Sequence, residues 1–530
     1  MRDEAATPQR ASSVNRHFGS HLTSTTAGAG AAMLMANRAL AIAIALVLSP
    51  YIVSEVGLAA YGFWAVVSGL TAWTALLDLG VGSSLAPFVA EAHERGARAR
   101  VRSVISAGLL LLLGVAVGIE LGAAVVVTVI PGDATSTWPP GWQVATLASF
   151  AALGVSLIAS VFTAVPAGLG RWRWYAATPL AAQLATSLAI IAFLETGLGV
   201  AGLGLALLAG SLVSLMSGLV SAAALAPHYI RPTLRRTRLT ARELLSYSAN
   251  IQVSNIAQVL NTQTDRIILA FFAPLAWIGQ FELGSRAALS LRAIPLAAFA
   301  PIIADSARVH VVQGLAGTRA MYLRTFWLVW YLAVLPMIFL SGASFAAIIA
   351  WLGTDFVVAA GVGSALVFAY AVNVASGPGT SVARGVGRPQ IDRNYSTISL
   401  CINVVLTLVL GVLLGPVGVI AATVLAMISS TILLLITVDS WLGTQVIRMR
   451  SEIAHFWGSL LVAMALSGCI LLAGVIVSDD RLAAAVVAGV GALITVAYFA
   501  LRAWQHLTPA EGTATRSRSS SSPSCKPRVI

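Results

Sequence analysis

The chain has 530 residues, of which 58% are hydrophobic and only 10% are charged, and its mean hydropathy is +0.87. This composition supplies too little polar surface for a water-soluble protein of this length. The apolar residues form unbroken runs of about twenty, the length of a helix that crosses about 30 Å of hydrocarbon, and not the ten-residue alternation of a membrane barrel. The net charge of +12 does not indicate a nucleic-acid partner, because most arginines lie in short loops between these runs.

Fourteen such runs follow one another, so the predicted fold class is all-α: a polytopic membrane protein of about 14 transmembrane helices. A polar segment, residues 1–29, precedes them as a cytoplasmic N-terminal tail and lacks the apolar core of a cleavable signal peptide. A serine-rich segment, residues 504–530, follows as a disordered cytoplasmic tail. The predicted spans are 30–53, 60–86, 104–130, 144–168, 175–195, 199–226, 248–272, 278–304, 324–350, 358–382, 395–414, 416–438, 456–477 and 482–502.

The loops between these spans alternate in charge. One set of loops is rich in arginine, and the other set carries acidic residues with Arg481 as its one basic residue. Because positively charged loops stay in the cytoplasm, the sequence predicts a multi-pass protein of the inner (cytoplasmic) membrane with both termini cytoplasmic. The arginine-rich loops contain Arg95, Arg98, Arg100 and Arg102; Arg171 and Arg173; Arg231, Arg235, Arg236, Arg238 and Arg242; Arg308 and Arg319; Arg384, Arg388 and Arg393; and Arg448 and Arg450.

The two halves of the chain resemble each other at an offset of about 217 residues. This repeat predicts two parallel-related six-helix bundles, residues 30–226 and 248–438, joined by a basic cytoplasmic linker, residues 227–247. Two additional transmembrane helices, residues 439–503, lie outside the repeat. The matches are Gly168-Leu169-Gly170-Arg171 with Gly385-Val386-Gly387-Arg388, Gly62 with Gly279, Gly199-Val200-Ala201-Gly202 with Gly415-Pro416-Val417-Gly418, and, with a three-residue slip, Ala86-Pro87 with Ala300-Pro301.

Ionisable side chains are costly inside a membrane and mark the candidate transport pathway. The densest cluster lies in spans 7 and 8 and contains Asp265, Arg266, Glu282, Arg286 and Arg292. Two interpretations stay open. In the first, Glu282 pairs with Arg286, four residues on, and Asp265 pairs with a nearby arginine, only to hold helices together. In the second, the arginines line a wet cleft and neutralise a diphosphate, whose geometry suits guanidinium groups. No charged residue occupies the equivalent positions of the first half, which favours the second interpretation.

The first half contributes three isolated charges. Arg38 and Asp78 lie in the inner halves of spans 1 and 2, where they could pair, although Arg38 can equally extend to the cytoplasmic surface. Glu120 is alone in span 3, as a proton-coupling carboxylate or as a locally satisfied polar group. We therefore assign as candidate substrate-binding residues Arg266, Arg286, Arg292 and Arg38, and as candidate coupling or gating residues Asp265, Glu282, Asp78 and Glu120. No catalytic residue, metal site or cofactor is predicted.

Several short motifs are typical of one superfamily. Over about residues 30 to 440 the chain resembles the multidrug, oligosaccharidyl-lipid and polysaccharide exporters, and within them the polysaccharide-type (O-antigen and teichoic-acid-like) flippases. The resemblance implies a V-shaped pair of bundles that flips a polyprenyl-diphosphate-linked oligosaccharide by alternating access, for surface polysaccharides such as lipopolysaccharide. It also implies a lipid-linked substrate and membrane lipids as partners, with glycosyltransferases or a polymerase of polysaccharide assembly beside them. The motifs are Leu48-Ser49-Pro50-Tyr51, Tyr61-Gly62-Phe63-Trp64, Leu77-Asp78-Leu79-Gly80 and Thr264-Asp265-Arg266-Ile267-Ile268-Leu269.

Other functions remain as alternatives. A multidrug–cation antiporter or a peptidoglycan-precursor flippase of the same superfamily would share this fold, although three arginines against two acids in the cluster favour an anionic substrate. A membrane-embedded enzyme is disfavoured, because the chain has no large soluble loop, no paired-carboxylate site and no metal-ligand spacing. A scaffold that transports nothing is a third class.

Overall fold

The structure is a computed structural model that describes residues 24–74, 76, 81–131, 135–229, 233, 240–245, 265–297, 299–444 and 450–507. Every regular element in these ranges is helical, and twelve of the described helices are long and apolar enough to cross a membrane. The prediction of an all-helical, polytopic membrane protein is confirmed. Of the predicted spans, 60–86 is described as two shorter helices, and 248–272 is described only over residues 265–272, which are helical.

The helix boundaries agree with most predicted spans to within several residues. A π-helical turn at Trp330–Val334 and a 3-10 turn at Thr354–Phe356 interrupt the series. The α-helices are α1 (Ser24–Val56), α2 (Leu58–Thr74), α3 (Val81–Glu94), α4 (Arg98–Val129), α5 (Trp142–Gly168), α6 (Trp172–Glu195), α7 (Gly199–Leu225), α8 (Leu275–Ala297), α9 (Phe299–Val329), α10 (Leu335–Leu352), α11 (Val357–Val374), α12 (Gly377–Gly385), α13 (Pro389–Leu414), α14 (Pro416–Leu442), α15 (Arg450–Ile476) and α16 (Arg481–Leu507).

The chain divides into two compact units. Unit 1 consists of Met1–Ser290, Gly361–Leu366 and Gln390–Ser430, and unit 2 consists of Leu291–Ala360, Val367–Pro389 and Thr431–Ile530. Unit 1 therefore contains α1 to α7, most of α8, nearly all of α13 and the first half of α14. The predicted limits of the two six-helix bundles, 30–226 and 248–438, remain a prediction.

Small residues bring the helices of each unit together. In unit 1, α5 packs against α3, α4 and α7, and a Cβ on Gly204 of α7 would lie 2.5 Å from the carbonyl oxygen of Ala145 on α5. In unit 2, α10 packs against α15 and α16, and the Ser341 and Ser467 hydroxyls are 3.1 Å apart. Large apolar side chains such as Val47 and Leu188 face outward. Close backbone contact inside and apolar surface outside is the arrangement expected in lipid.

The crossing of α2 and α8 positions the charged cluster of unit 1. At this crossing Gly62 and Gly279, predicted as repeat-related positions, face each other. A Cβ on Gly62 would lie 1.8 Å from the Leu275 carbonyl oxygen, and a Cβ on Gly279 would lie 2.5 Å from the Leu58 carbonyl oxygen. The two backbones are therefore closer than any side chain would allow. About two turns beyond Gly279, Arg286 of α8 lies against Ser49 of α1 and Trp64 of α2.

The 217-residue repeat is visible in how two helices end. The turn after Gly168 of α5 and the turn after Gly385 of α12 have the same backbone geometry. The amide of Arg171 bonds the Pro166 carbonyl and that of Arg388 bonds the Ala383 carbonyl, both at 2.8 Å. Next to these ends, Gly168 lies against Ala86 and Val89, and Gly385 lies against Ile303 and Ser306. These partners keep the 217-residue offset, because Ala86 corresponds to Ile303 and Val89 to Ser306. The three-residue slip predicted for Ala86-Pro87 is therefore wrong, since the packing contacts of the two segments are equivalent without aligning their prolines.

We predict that Gly62→Ala destabilises the protein by about 1–3 kcal/mol, because the methyl group forces two packed backbones apart. The measurement is the thermal unfolding midpoint of the purified protein in detergent. Gly114→Ala on α4 is the matched control, since a Cβ there meets nothing within 4 Å and the alanine only improves helix propensity. Equal unfolding midpoints for Gly62→Ala and Gly114→Ala would show that α2 and α8 can move apart without loss of stability.

Candidate functional site

A single buried carboxylate, Glu282 on α8, holds two arginines in unit 1. Its side chain is 4% exposed. Arg266, from the helical segment 265–272, places Nε 2.8 Å from Glu282 Oε2, and Arg286 places Nε 2.9 Å from Oε1. The predicted Glu282–Arg286 pair is therefore confirmed, and Arg266 completes a triad. One negative charge faces two positive charges, so the triad carries an excess of one positive charge.

Arg286 is the more accessible of the two arginines. Its side chain is 23% exposed, against 11% for Arg266. The Nη1 of Arg286 donates to Ser49 Oγ at 3.3 Å, and the Ser49 hydroxyl in turn donates a hydrogen bond to the Ala45 carbonyl oxygen. The guanidinium also lies 5.2 Å from the ring centroid of Trp64 and 5.8 Å from that of Tyr61, within cation–π range. Neutral groups of α1 and α2 thus orient a partly exposed cation.

Asp265 does not pair with an arginine as predicted. Its buried carboxylate accepts a hydrogen bond from Thr423 Oγ on α14, 2.9 Å from Oδ2. The neighbouring Arg266 turns to Glu282 instead. The physical reason is helix geometry. Adjacent residues of a helix project about 100° apart, so Asp265 and Arg266 point from different faces of the same helix.

Arg292 lies in unit 2 and has its own surroundings. Its Nη2 donates to Asn373 Oδ1 at 2.7 Å, and its guanidinium lies 4.8 Å from the Tyr370 ring centroid. Arg292 Nε is buried without a hydrogen-bond partner, and among the described residues Arg292 forms no ion pair. A partly buried cation that contacts a neutral amide and a neutral ring is a favourable place for an anion.

The remaining candidates lie apart from the triad. Arg38 is exposed on α1, and Asp78, its predicted partner, lies outside the described residues. Glu120 is partly buried on α4, and its Oε2 has no hydrogen-bond partner in the described part of the chain. Across the ranges the structure describes, no group of three His, Cys, Asp or Glu residues could hold a metal ion.

Sequence reasoning based on charge missed the uncharged members of these sites. Ser49, Tyr61 and Trp64 orient Arg286, and Asn373 and Tyr370 contact Arg292. The available signal was the presence of amides and hydroxyl groups inside apolar spans. Such residues need partners in lipid, so they point to each other or to a charge.

Comparison with known proteins gives one family match and several similar folds. The family model described as "Polysaccharide biosynthesis protein" matches residues 27–307. No curated protein matches the sequence. Among solved structures, the lipid II flippase MurJ in an inward closed conformation is 14% identical, with a TM-score of 0.65 and coverage of 90% of this chain and 99% of that one.

Two multidrug transporters have similar folds. An inward-facing MATE family transporter of the MOP superfamily is 16% identical, with a TM-score of 0.57 and coverage of 78% of this chain and 98% of that one. The eukaryotic MATE transporter AtDTX14 is 11% identical, with a TM-score of 0.55 and coverage of 84% and 98%. At these identities the likeness shows the fold. These proteins are transporters and a flippase, not enzymes.

We predict that Glu282→Gln lowers the free energy of unfolding by about 3–5 kcal/mol, because it leaves two buried guanidiniums without a counter-charge. The measurement is thermal or denaturant unfolding in detergent. Adding Arg266→Gln should restore part of the loss, since it removes one of those cations. Asp305→Asn is the control: it breaks an exposed pair with Arg308 and should change stability by less than about 1 kcal/mol. If Glu282→Gln behaves like this control, the triad is not electrostatically coupled.

Proposed function

The chain belongs to the polysaccharide biosynthesis protein family, and on that premise we propose that it flips a polyprenyl-diphosphate-linked oligosaccharide across the cytoplasmic membrane by alternating access. Its fold is that of the multidrug, oligosaccharidyl-lipid and polysaccharide transporter superfamily, and it is a multi-pass membrane protein, not an enzyme. The flipped lipid would supply cell-surface polysaccharide synthesis, with lipopolysaccharide as one such product. The glycosyltransferases or polymerase of that synthesis would be its partners.

The observation that carries this proposal is that two guanidinium groups in unit 1, those of Arg266 and Arg286, share one buried carboxylate, that of Glu282. The other buried carboxylate of the cluster, that of Asp265, accepts a hydrogen bond from Thr423 instead. A local excess of positive charge in a low-dielectric environment raises the free energy of the protein unless an anion binds beside it. The same excess would repel a cationic drug. This is why a diphosphate cargo is favoured over multidrug–cation antiport.

Arg286 is the arginine best placed to meet the diphosphate. Glu282 and Ser49 fix the orientation of its guanidinium through Nε and Nη1, and nearly a quarter of the side chain is still exposed. A guanidinium whose plane is already fixed loses little freedom when it binds a phosphate, and its fork of donors matches two phosphate oxygens.

Arg292 is a second candidate contact for the diphosphate, and its neighbours all lie in unit 2. Its bond to Asn373 and its position over the Tyr370 ring hold the guanidinium without neutralising it. An uncompensated, oriented cation would bind an anionic headgroup more strongly than one that is already paired. Arg38, exposed on α1, is retained as a substrate-binding candidate nearer the cytoplasmic surface.

We predict that Arg286→Ala lowers the rate of glycolipid translocation about tenfold to a hundredfold, the loss expected when a charged hydrogen bond of about 1.5–3 kcal/mol disappears. The measurement is exposure of a polyprenyl-diphosphate oligosaccharide on the opposite leaflet of proteoliposomes. Arg286→Lys should recover only part of the rate, because it restores charge without the planar fork. Arg292→Ala should behave like Arg286→Ala.

Arg308→Ala is the matched control, since Arg308 is exposed and pairs with Asp305 within unit 2. Normal translocation by both Arg286→Ala and Arg292→Ala would show that these charged residues only hold helices together. In cells, deletion of the gene should leave the lipid-linked oligosaccharide on the cytoplasmic leaflet. Altered drug sensitivity with normal glycolipids would instead indicate an antiporter, and accumulation of peptidoglycan precursor would indicate the other flippase class.

The proposed orientation is tested separately from the cargo. We expect reporter fusions within residues 95–102 and 384–393 to report a cytoplasmic location, because these loops carry clusters of arginine. A fusion near Asp479 should report the opposite side. Opposite locations for the two arginine-rich loops would overturn the predicted topology.

A further inference from the structure

Three helices of unit 2, α9, α12 and α14, meet close to the end of α14. A Cβ on Gly379 of α12 would lie 3.1 Å from the side chain of Val438 on α14 and 3.8 Å from the ring of Tyr322 on α9. Tyr322 and Val438 are fully buried. Both α9 and the turn after α12 carry arginines near this contact, so the packing brings basic side chains from separate parts of the chain to one end of α14.

Arg388, in the turn after α12, lies over an indole ring at the end of α14. Its guanidinium is 5.2 Å from the ring centroid of Trp441, within cation–π range. The backbone is also fixed, because the Arg388 amide donates to the Ala383 carbonyl oxygen at 2.8 Å. Arg388 is nevertheless exposed. Stacking uses the face of the guanidinium and leaves the N–H donors at its edge for another ligand.

Arg319 of α9 reaches the same helix end. Its Nη1 would lie 3.8 Å from a Cβ on Gly443, which follows the last residue of α14 and has a φ of 63°. Gly443 is two residues beyond Trp441, or about 3 Å along the helix axis. Arg319 is exposed. Within the part of the chain that the structure describes, neither Arg319 nor Arg388 forms an ion pair with a carboxylate.

Positive charge exceeds negative charge in the segments that carry these residues. Residues 319–324 contain two arginines, residues 384–393 contain three arginines and one acid, and residues 439–444 contain one acid, Asp439. The Asp439 carboxylate accepts a hydrogen bond from the Thr444 hydroxyl. Five arginines against two acids give these segments a positive balance that favours an anionic ligand.

The length of α14 places this cluster at the membrane surface. The helix has 27 residues and is therefore about 40 Å long, enough to cross the hydrocarbon and reach the headgroups on both sides. Trp441 lies in its last turn, at the depth where tryptophan is common in membrane proteins. In the predicted orientation this end faces the cytoplasm, where the leaflet is rich in anionic lipids.

We propose that Arg319, Arg388 and Trp441 form a binding site for the phosphate of an anionic phospholipid in the cytoplasmic leaflet. The guanidiniums would donate to the phosphate oxygens, and the indole would contact the glycerol and the first part of the acyl chains. Basic pockets between transmembrane helices bind lipid headgroups in this way. The bound lipid would connect α9 to the turn after α12 and stabilise this end of unit 2. It is a resident membrane lipid, so the proposal does not depend on the transported cargo.

The test uses the full-length protein purified in a neutral detergent without glycolipid. Binding of phosphatidylglycerol and of phosphatidylcholine is measured by native mass spectrometry, and the thermal unfolding midpoint is measured with each lipid. We expect phosphatidylglycerol to bind more tightly, with about one lipid retained per chain, and to raise the midpoint more. Arg388→Gln and Arg319→Gln should each weaken phosphatidylglycerol binding about fivefold, the effect of one arginine at a membrane surface.

Arg324→Gln is the matched control, since Arg324 is also exposed on α9 but projects about 140° away from Arg319. It should bind phosphatidylglycerol like the unmodified protein. Trp441→Phe should keep most of the binding and Trp441→Leu should lose it, because an aromatic face is needed to orient the guanidinium of Arg388. A variant that fails to fold is recognised by its midpoint in phosphatidylcholine, and the other arginine variant then tests the same site.

Two results would overturn the site as a specific one. Equal losses in Arg324→Gln and Arg388→Gln would indicate a diffuse attraction to a basic surface, and unchanged binding in both Arg319→Gln and Arg388→Gln would place the lipid elsewhere.

A competition measurement separates a resident phospholipid from the cargo. Polyprenyl diphosphate is added to the protein that carries phosphatidylglycerol, and we expect it to leave the phospholipid bound. Displacement of phosphatidylglycerol, together with weaker binding of polyprenyl diphosphate in Arg388→Gln, would make these residues a cargo contact and overturn the proposal. Normal phosphatidylglycerol binding in a protein that fails to translocate the glycolipid would overturn the proposed function and leave this site intact.

Discussion

The unit 1 site depends on one carboxylate shared by two guanidiniums in a low-dielectric interior. Glu282 pairs with Arg266 and with Arg286. The close approach of α8 to α2, which requires hydrogen atoms in place of side chains at Gly62 and Gly279, brings the rings of Tyr61 and Trp64 to Arg286. An anion bound beside these guanidiniums would be more stable there than in lipid.

The segment 265–272 links two different polar environments through a single step of the helix. Arg266 pairs with Glu282, whereas Asp265 accepts a hydrogen bond from Thr423 of α14. Acidic and basic residues that look like a salt bridge in sequence thus belong to separate sites.

The predicted repeat agrees with the structure at one pair of helix ends. The helix ends after Gly168 and Gly385 have equivalent turns and packing partners at the 217-residue offset. The charged residues do not follow the repeat. The first half contributes neutral groups, such as Ser49 and Trp64, that orient a cation supplied by the second half.

The sequence by itself determined the all-helical membrane fold, most of the helix boundaries and the Glu282–Arg286 pair, because hydrophobic length and i,i+4 distance are local properties. It did not determine that Arg266 shares Glu282, that Asp265 turns to Thr423, or that Asn373 holds Arg292. Those pairings join residues distant in the chain, and an adjacent pair of charges carries no record of which helix face each will occupy. Only the tertiary structure decides them, because a buried charge takes the partner that packing brings within reach.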